Sequence, residues 1–123
     1  MAARIFLGLS ALIWLPFGLY CLFVPGFLAE AAGVGFTTPT GSTDMRATYG
    51  GLTVAIGALV LAGALREGFR RQALVLLGSV CAGLGGARLL GVALDGGMSA
   101  WTAQGLAFEF GTVALSVWLL RRA

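Results

Sequence analysis

Two charged residues, Arg88 and Glu109, lie inside long apolar stretches of this 123-residue chain. Each is the only charged residue of its stretch, residues 72–94 for the arginine and 100–120 for the glutamate. Side chains of these types can form an ion pair, bind a polar group of a ligand, or carry a proton on the carboxylate. An unpaired charge in apolar surroundings is costly, so we expect the two side chains to pair with each other.

The apolar stretches themselves indicate the class of fold. The chain is 59% hydrophobic and only 11% charged, with a mean hydropathy of +0.94. A soluble domain of this length could not bury so much apolar surface, whereas a bilayer accepts it. Four stretches are long enough to cross a bilayer: residues 5–24, 46–65, 72–94 and 100–120. We predict one all-α domain, an integral membrane four-helix bundle of antiparallel up-and-down spans.

The arginines predict the orientation of these spans. Six of them flank the spans on one predicted side: Arg4, Arg66, Arg70, Arg71, Arg121 and Arg122. The positive-inside rule then places both termini in the cytoplasm of a bacterial inner membrane. The loop 25–45 lies on the opposite side, and within it we expect a short interfacial helix at 27–34 and a helix N-cap at Thr43 or Asp44. The rival interpretation of residues 5–24, a cleaved signal peptide, fits less well because the apolar run is long.

Five polar residues should meet in the non-cytoplasmic half of the bundle. At about 1.5 Å per residue, Arg88 lies roughly 9 Å and Glu109 roughly 14 Å below that surface. Arg46 and Asp95 lie at the rim, and Tyr49 lies one turn below Arg46. One interpretation is a pocket for a small amphipathic or lipid-like molecule; the other is an internal ion pair that only fixes helix register. Helix ends and water could satisfy the two rim residues without any ligand.

Rows of small residues predict where helices approach closely. The third span carries Gly78, Ala82 and Gly86 in one row, with Gly91 in the adjacent row. Gly50 and Gly51 occupy the start of the second span. On the fourth span Gly105, Glu109, Thr112 and Ser116 share one face, and we expect that face to point into the bundle.

Several chemistries are disfavoured by what the chain lacks. It has no histidine, and we see no metal-ligand cluster, no phosphate-cradling loop and no cofactor motif. Cys21 and Cys81 belong to different spans at depths about 15 Å apart, which predicts no disulfide. The arginines mark span ends and do not form a nucleic-acid patch. We therefore expect a protein that is not an enzyme, that has no cofactor or metal, and whose partners are membrane lipids.

Short motifs on the last three spans resemble a known family. The segments Arg46-Ala47-Thr48-Tyr49-Gly50-Gly51, Arg88-Leu89-Leu90-Gly91 and Asp95-Gly96, followed by Glu109, are similar to the pattern of a bacterial four-helix membrane family, domain of unknown function 4345. The resemblance covers nearly the whole chain and implies four helices. It also implies marked positions at Arg46, Tyr49, Gly50, Gly51, Arg88, Asp95 and Glu109, but no activity. The architecture is more loosely similar to membrane proteins of the DoxX type, some of which accompany oxidoreductases.

Three functions fit these observations. The first is a non-enzymatic membrane protein whose polar pocket binds a lipid, a quinone or another hydrophobic molecule. The second is a structural or accessory subunit, in a larger membrane complex or a homo-oligomer, whose glycine rows face partner helices. The third is a small proton-coupled transporter that uses Glu109 as the proton carrier.

Overall fold

The computed structural model describes residues 1–122, and within that range it is all helical. Its helices are α1 (Ala2–Phe23), α2 (Phe27–Ala32), α3 (Pro39–Met45), α4 (Leu52–Leu65), α5 (Arg70–Asp95) and α6 (Ala100–Arg122). A π-helical segment, Arg46–Gly51, joins α3 to α4, and a 3-10 turn, Glu67–Phe69, precedes α5. Four helical stretches are long and apolar enough to cross a membrane: Ala2–Phe23, Pro39–Leu65, Glu67–Asp95 and Ala100–Arg122. The prediction of four spanning helices is confirmed, and the chain has the character of a multi-pass membrane protein.

The second span begins earlier than predicted. Its N-cap is Thr38, whose side-chain oxygen accepts a hydrogen bond from the Gly41 N–H at 3.0 Å, and Pro39 follows at the first helical position. The predicted N-cap at Thr43 or Asp44 was wrong, because a proline preceded by threonine starts a helix well. The predicted short helix near 27–34 is present as α2.

The π-helical segment adds an extra residue to one turn of this long helix. The Leu52 N–H donates to the Ala47 carbonyl, five residues back instead of four. Met45 and Gly50 are both buried and stand five residues apart. Segments of this kind inside α-helices are rare and occur frequently at functional sites.

Helix α1 packs in the opposite chain direction against the π segment and α4. Glycines line this contact, with Gly18 against Val54 and Gly57 against Leu15. At Gly50 an added Cβ atom would lie 2.7 Å from the Cα of Leu22. Only a residue without a side chain permits this approach of two backbones.

Helices α5 and α6 form the second closely packed pair, also in opposite chain directions. Gly78 lies against Ser116, and Gly85 lies against Glu109 and Phe110. The buried face of α5 runs through Leu74, Leu77, Cys81 and Gly85, whose spacing of three to four residues is that of one helix face. This pairing sets the register in which Arg88 meets α6.

The predicted small-residue rows are only partly used for packing within the chain. Gly50 and Gly78 pack as expected, but Ala82 is exposed and Gly86 has no atom within 4 Å of where its Cβ would lie. The nearest atoms to Gly51 and Gly91 belong to their own helical segments. These four residues make no close helix contact within residues 1–122, since the buried face of α5 follows Cys81 and Gly85 and the α4 side packs through Gly50.

Two apolar clusters lie on either side of the Arg88 level. The main core joins α1, α4, α5 and the end of α6, with Leu7, Val60 and Leu77 fully buried at its centre. The small core is built on Cys21, Leu28 and Met45, with Tyr49 and Trp101 packed against it. Between Gly85 and the end of α5 no residue is fully buried. Within residues 1–122, other helices therefore cover the C-terminal end of α5 and the N-terminal end of α6 only in part.

Candidate functional site

Arg88 of α5 and Glu109 of α6 form a direct ion pair. The Nε–H of Arg88 donates to both carboxylate oxygens, at 3.2 Å to Oε1 and 3.1 Å to Oε2, and its Nη2 donates to Oε1 at 2.7 Å. Charge-assisted hydrogen bonds of this forked kind fix both distance and orientation. The predicted pairing is present.

Local sequence explains why these two side chains meet. Arg88 follows Cys81 and Gly85 on the buried face of α5, and Glu109 shares the buried face of α6 with Thr112, Ser116 and others. The spacing of polar residues on α6 predicted this buried face correctly. Two apolar faces that must pack against each other therefore carry one opposite charge each, at matching height.

Glycines next to the pair make room for the arginine. A Cβ atom at Gly105 would lie 3.0 Å from the Nε atom of Arg88 and 3.1 Å from its Cζ atom. The guanidinium therefore lies directly across the backbone of α6, one turn before Glu109. On the other side, a Cβ atom at Gly85 would lie 3.4 Å from that of Glu109.

The pair is asymmetric in burial and in hydrogen bonding. The Glu109 side chain is 4% exposed, whereas the Arg88 side chain is 30% exposed. Among residues 1–122 the Nη1 atom of Arg88 has no hydrogen-bond partner, and it is not a fully buried atom. Three of the five N–H donors of the guanidinium are thus left for another group, two of them on Nη1.

Tyr49 lies on the π segment. It is partly buried and packs against the small core. Its hydroxyl group makes no hydrogen bond to the part of the chain that the structure describes. Arg88 and Tyr49 therefore present unpaired polar groups from two different elements, the π segment and α5.

The other two predicted site residues lie elsewhere. Arg46 donates from Nη1 to the carbonyl oxygen of Leu22, in the last turn of α1. This contact satisfies a free carbonyl at a helix end and places positive charge at the negative end of the helix dipole. Asp95 is the exposed last residue of α5, where Gly96 ends the helix in a left-handed conformation. Of the five predicted residues, the structure brings Arg88 and Glu109 into direct contact.

Sequence analysis placed Thr112 and Ser116 on the inward face of α6 but missed two other buried groups below the ion pair, the Cys81 thiol and the Trp14 indole. Cys81 is fully buried on α5, two helical turns before Arg88. The Ser116 hydroxyl and the Trp14 indole N–H are buried without a hydrogen-bond partner among residues 1–122. The spacing of Cys81 to Arg88, seven residues or two helical turns, is the signal that could have placed the thiol near the pair.

Surface clefts and metal ligands add little to this site. Two open clefts lie near the small core, one lined by Asp44, Thr48 and Tyr49 among others, and neither is lined by Arg88 or Glu109. Within residues 1–122, no group of three or more histidine, cysteine, aspartate or glutamate residues could hold a metal ion.

These observations define a class: a small all-α protein with four helices able to cross a membrane and a partly buried arginine–glutamate pair between the last two. The chain belongs to the family described as domain of unknown function (DUF4345), which matches residues 2–120. The resemblance seen in the sequence motifs is thereby confirmed. Comparison with curated proteins and with solved structures found no match.

Proposed function

We propose that the protein crosses a bacterial inner membrane four times, up and down, with both termini in the cytoplasm. The support is the distribution of charge along the spans. Arg4, the 3-10 turn with its flanking arginines, and the end of α6 all fall at one predicted side. The positive-inside rule assigns such a side to the cytoplasm.

We further propose that the protein is not an enzyme and that it binds a lipid, a quinone or another hydrophobic molecule beside Arg88. A direct ion pair alone would serve equally well to fix helix register. One observation favours a ligand: the Nη1 group of Arg88 is accessible and unpartnered, although Glu109 holds the rest of the guanidinium in place.

Access from the membrane supports the same proposal. The outer turns of α5 and α6 expose Leu89, Leu90 and Phe108. An apolar molecule could pack against these side chains while its polar group reaches Arg88. Ligand sites of this kind combine an apolar lining with a few placed polar groups.

Retention of native lipids tests the proposal. The protein would be extracted in its own membrane lipids, and bound molecules identified by native mass spectrometry. We expect one apolar species in the wild type, retained about tenfold less in Arg88→Gln, since a hydrogen bond to a charged group contributes ~1.5–3 kcal/mol. Arg66→Gln is the matched control, because Arg66 is exposed in a turn. No retained species, or equal retention in both variants, would refute the proposal.

A second candidate function is that of an accessory subunit whose partner covers α5. The observation in its favour is the exposed small-residue face of α5, where Gly83 and Gly86 have no atom within 4 Å of their Cβ positions. Such faces permit close helix contact. Under this proposal Gly83→Leu releases a co-purifying membrane protein, or a second copy of the chain, whereas Gly111→Leu on exposed α6 does not. A wild-type chain that is monomeric and partner-free in its native membrane would reject it.

A further inference from the structure

We propose that the molecule bound beside Arg88 is electrically neutral and presents a carbonyl oxygen to Arg88. This inference rests on the proposed binding function and narrows the chemical class of its ligand. Quinones and diacylglycerols belong to the class, whereas fatty acids and phosphatidic acid do not.

The charge balance of the site favours a neutral ligand. Arg88 and Glu109 are in direct contact, so their charges cancel within the pair. Two other charged residues were predicted in this half of the bundle. They do not alter the charge balance, because Arg46 is bound to the end of α1 and Asp95 is exposed at the end of α5. An anionic ligand would place a second negative charge beside Glu109 with one arginine to serve both. In surroundings of low dielectric constant an uncompensated charge is expensive.

The hydrogen-bonding groups favour a carbonyl oxygen. A guanidinium can only donate, so the ligand atom facing Nη1 must be an acceptor. A carbonyl oxygen is an acceptor that carries no charge. Unlike a hydroxyl group, it also brings no donor, which the guanidinium could not accept.

Three probes with the same decyl chain separate the possibilities: decyl-benzoquinone, decylbenzene and decyl phosphate. They would be titrated by equilibrium dialysis into the full chain in nanodiscs of phosphatidylcholine. We expect decyl-benzoquinone to bind about tenfold more tightly than decylbenzene, because only the quinone can accept from the arginine. Decyl phosphate should bind more weakly than the quinone.

Substitutions test whether the preference for the quinone over decylbenzene comes from Arg88. Arg88→Lys keeps a positive charge beside Glu109 but loses the forked guanidinium, and it should remove most of the preference for the quinone. Arg66→Lys is the matched control and should leave binding unchanged, since Arg66 is exposed in a turn away from α6. Circular dichroism of each variant checks that the helices are intact.

The outcomes distinguish this inference from the function on which it rests. If decyl phosphate binds most tightly, or decylbenzene binds as well as the quinone, the neutral-carbonyl assignment is overturned while binding itself stands. If no probe binds and no native molecule is retained, the binding function fails first.

Discussion

The two halves of the Arg88–Glu109 pair should respond unequally to substitution. Replacing Arg88 with methionine leaves a carboxylate that is 4% exposed and has lost its three short contacts, at 2.7 to 3.2 Å. Replacing Glu109 with glutamine leaves a guanidinium that is 30% exposed and can still donate to the amide oxygen. We expect Arg88→Met to destabilise the fold much more than Glu109→Gln.

The burial of each group sets the expected magnitudes. Removing one partner of a buried ion pair costs about 3–5 kcal/mol, and the nearly complete burial of Glu109 places Arg88→Met in that range. For Glu109→Gln, exchanging charge-assisted for neutral hydrogen bonds to a partly exposed arginine costs about 1–2 kcal/mol. The double variant Arg88→Met/Glu109→Leu buries no charge, so it should lie within about 1 kcal/mol of wild type.

Equilibrium unfolding in mixed micelles with increasing dodecyl sulfate, followed by circular dichroism, measures these differences. With the single variant Glu109→Leu added, wild type, Arg88→Met and the double variant form a double-mutant cycle, whose coupling term should be large and favourable. Equal losses in Arg88→Met and Glu109→Gln would contradict the asymmetry inferred from burial. A double variant as unstable as the sum of its parts would show that the pair does not act as a unit.

Three further substitutions follow from the packing. Gly50→Ala should destabilise the fold by about 1–3 kcal/mol because its Cβ meets the backbone of α1. The neighbouring Gly51→Ala, where the nearest atom is 3.9 Å from the added Cβ, should change stability by less than about 1 kcal/mol. Equal unfolding midpoints for the two variants would refute this. Gly105→Ala should weaken decyl-benzoquinone binding with little loss of stability, because the group it meets is the flexible end of Arg88; unchanged affinity would argue against the guanidinium as the contact. Thr38→Ala should cost about 1 kcal/mol and speed hydrogen exchange of the Gly41 amide, measurable by mass spectrometry; unchanged exchange would argue against the cap.

Hydrophobicity predicted the number of spanning helices well, and spacing predicted one buried face. Runs of about twenty apolar residues are typical of membrane-spanning helices, so the four spans could be predicted directly from the sequence. The face of α6 with Glu109 and Thr112 was also readable, because polar residues repeating at helical spacing in an apolar span mark the protected side.

Other features depend on contacts that no single segment reveals. The Gly- and Thr-rich residues before Asp44 have weak helix propensity, so a helix starting at Pro39 was not expected. Both rows of small residues on α5 looked alike, yet the glycines that pack against α6 are Gly78, from one row, and Gly85, from neither. The partner of Arg46 is a backbone carbonyl of α1, which carries no signal in the side-chain sequence.

The π-helical segment rotates the part of the second span before it, about the helix axis, relative to the part after it. One residue of an α-helix corresponds to about 100° of rotation, so an extra residue within 46–51 offsets everything before it by that angle relative to α4. Met45 and Gly50 can then face the same side although they are five residues apart. A deletion of Thr48 would keep every apolar residue and every charge, yet it would turn α3 and its Thr38 cap away from α1. The segment from Arg46 to Gly51 thus sets a rotation as well as a set of side chains.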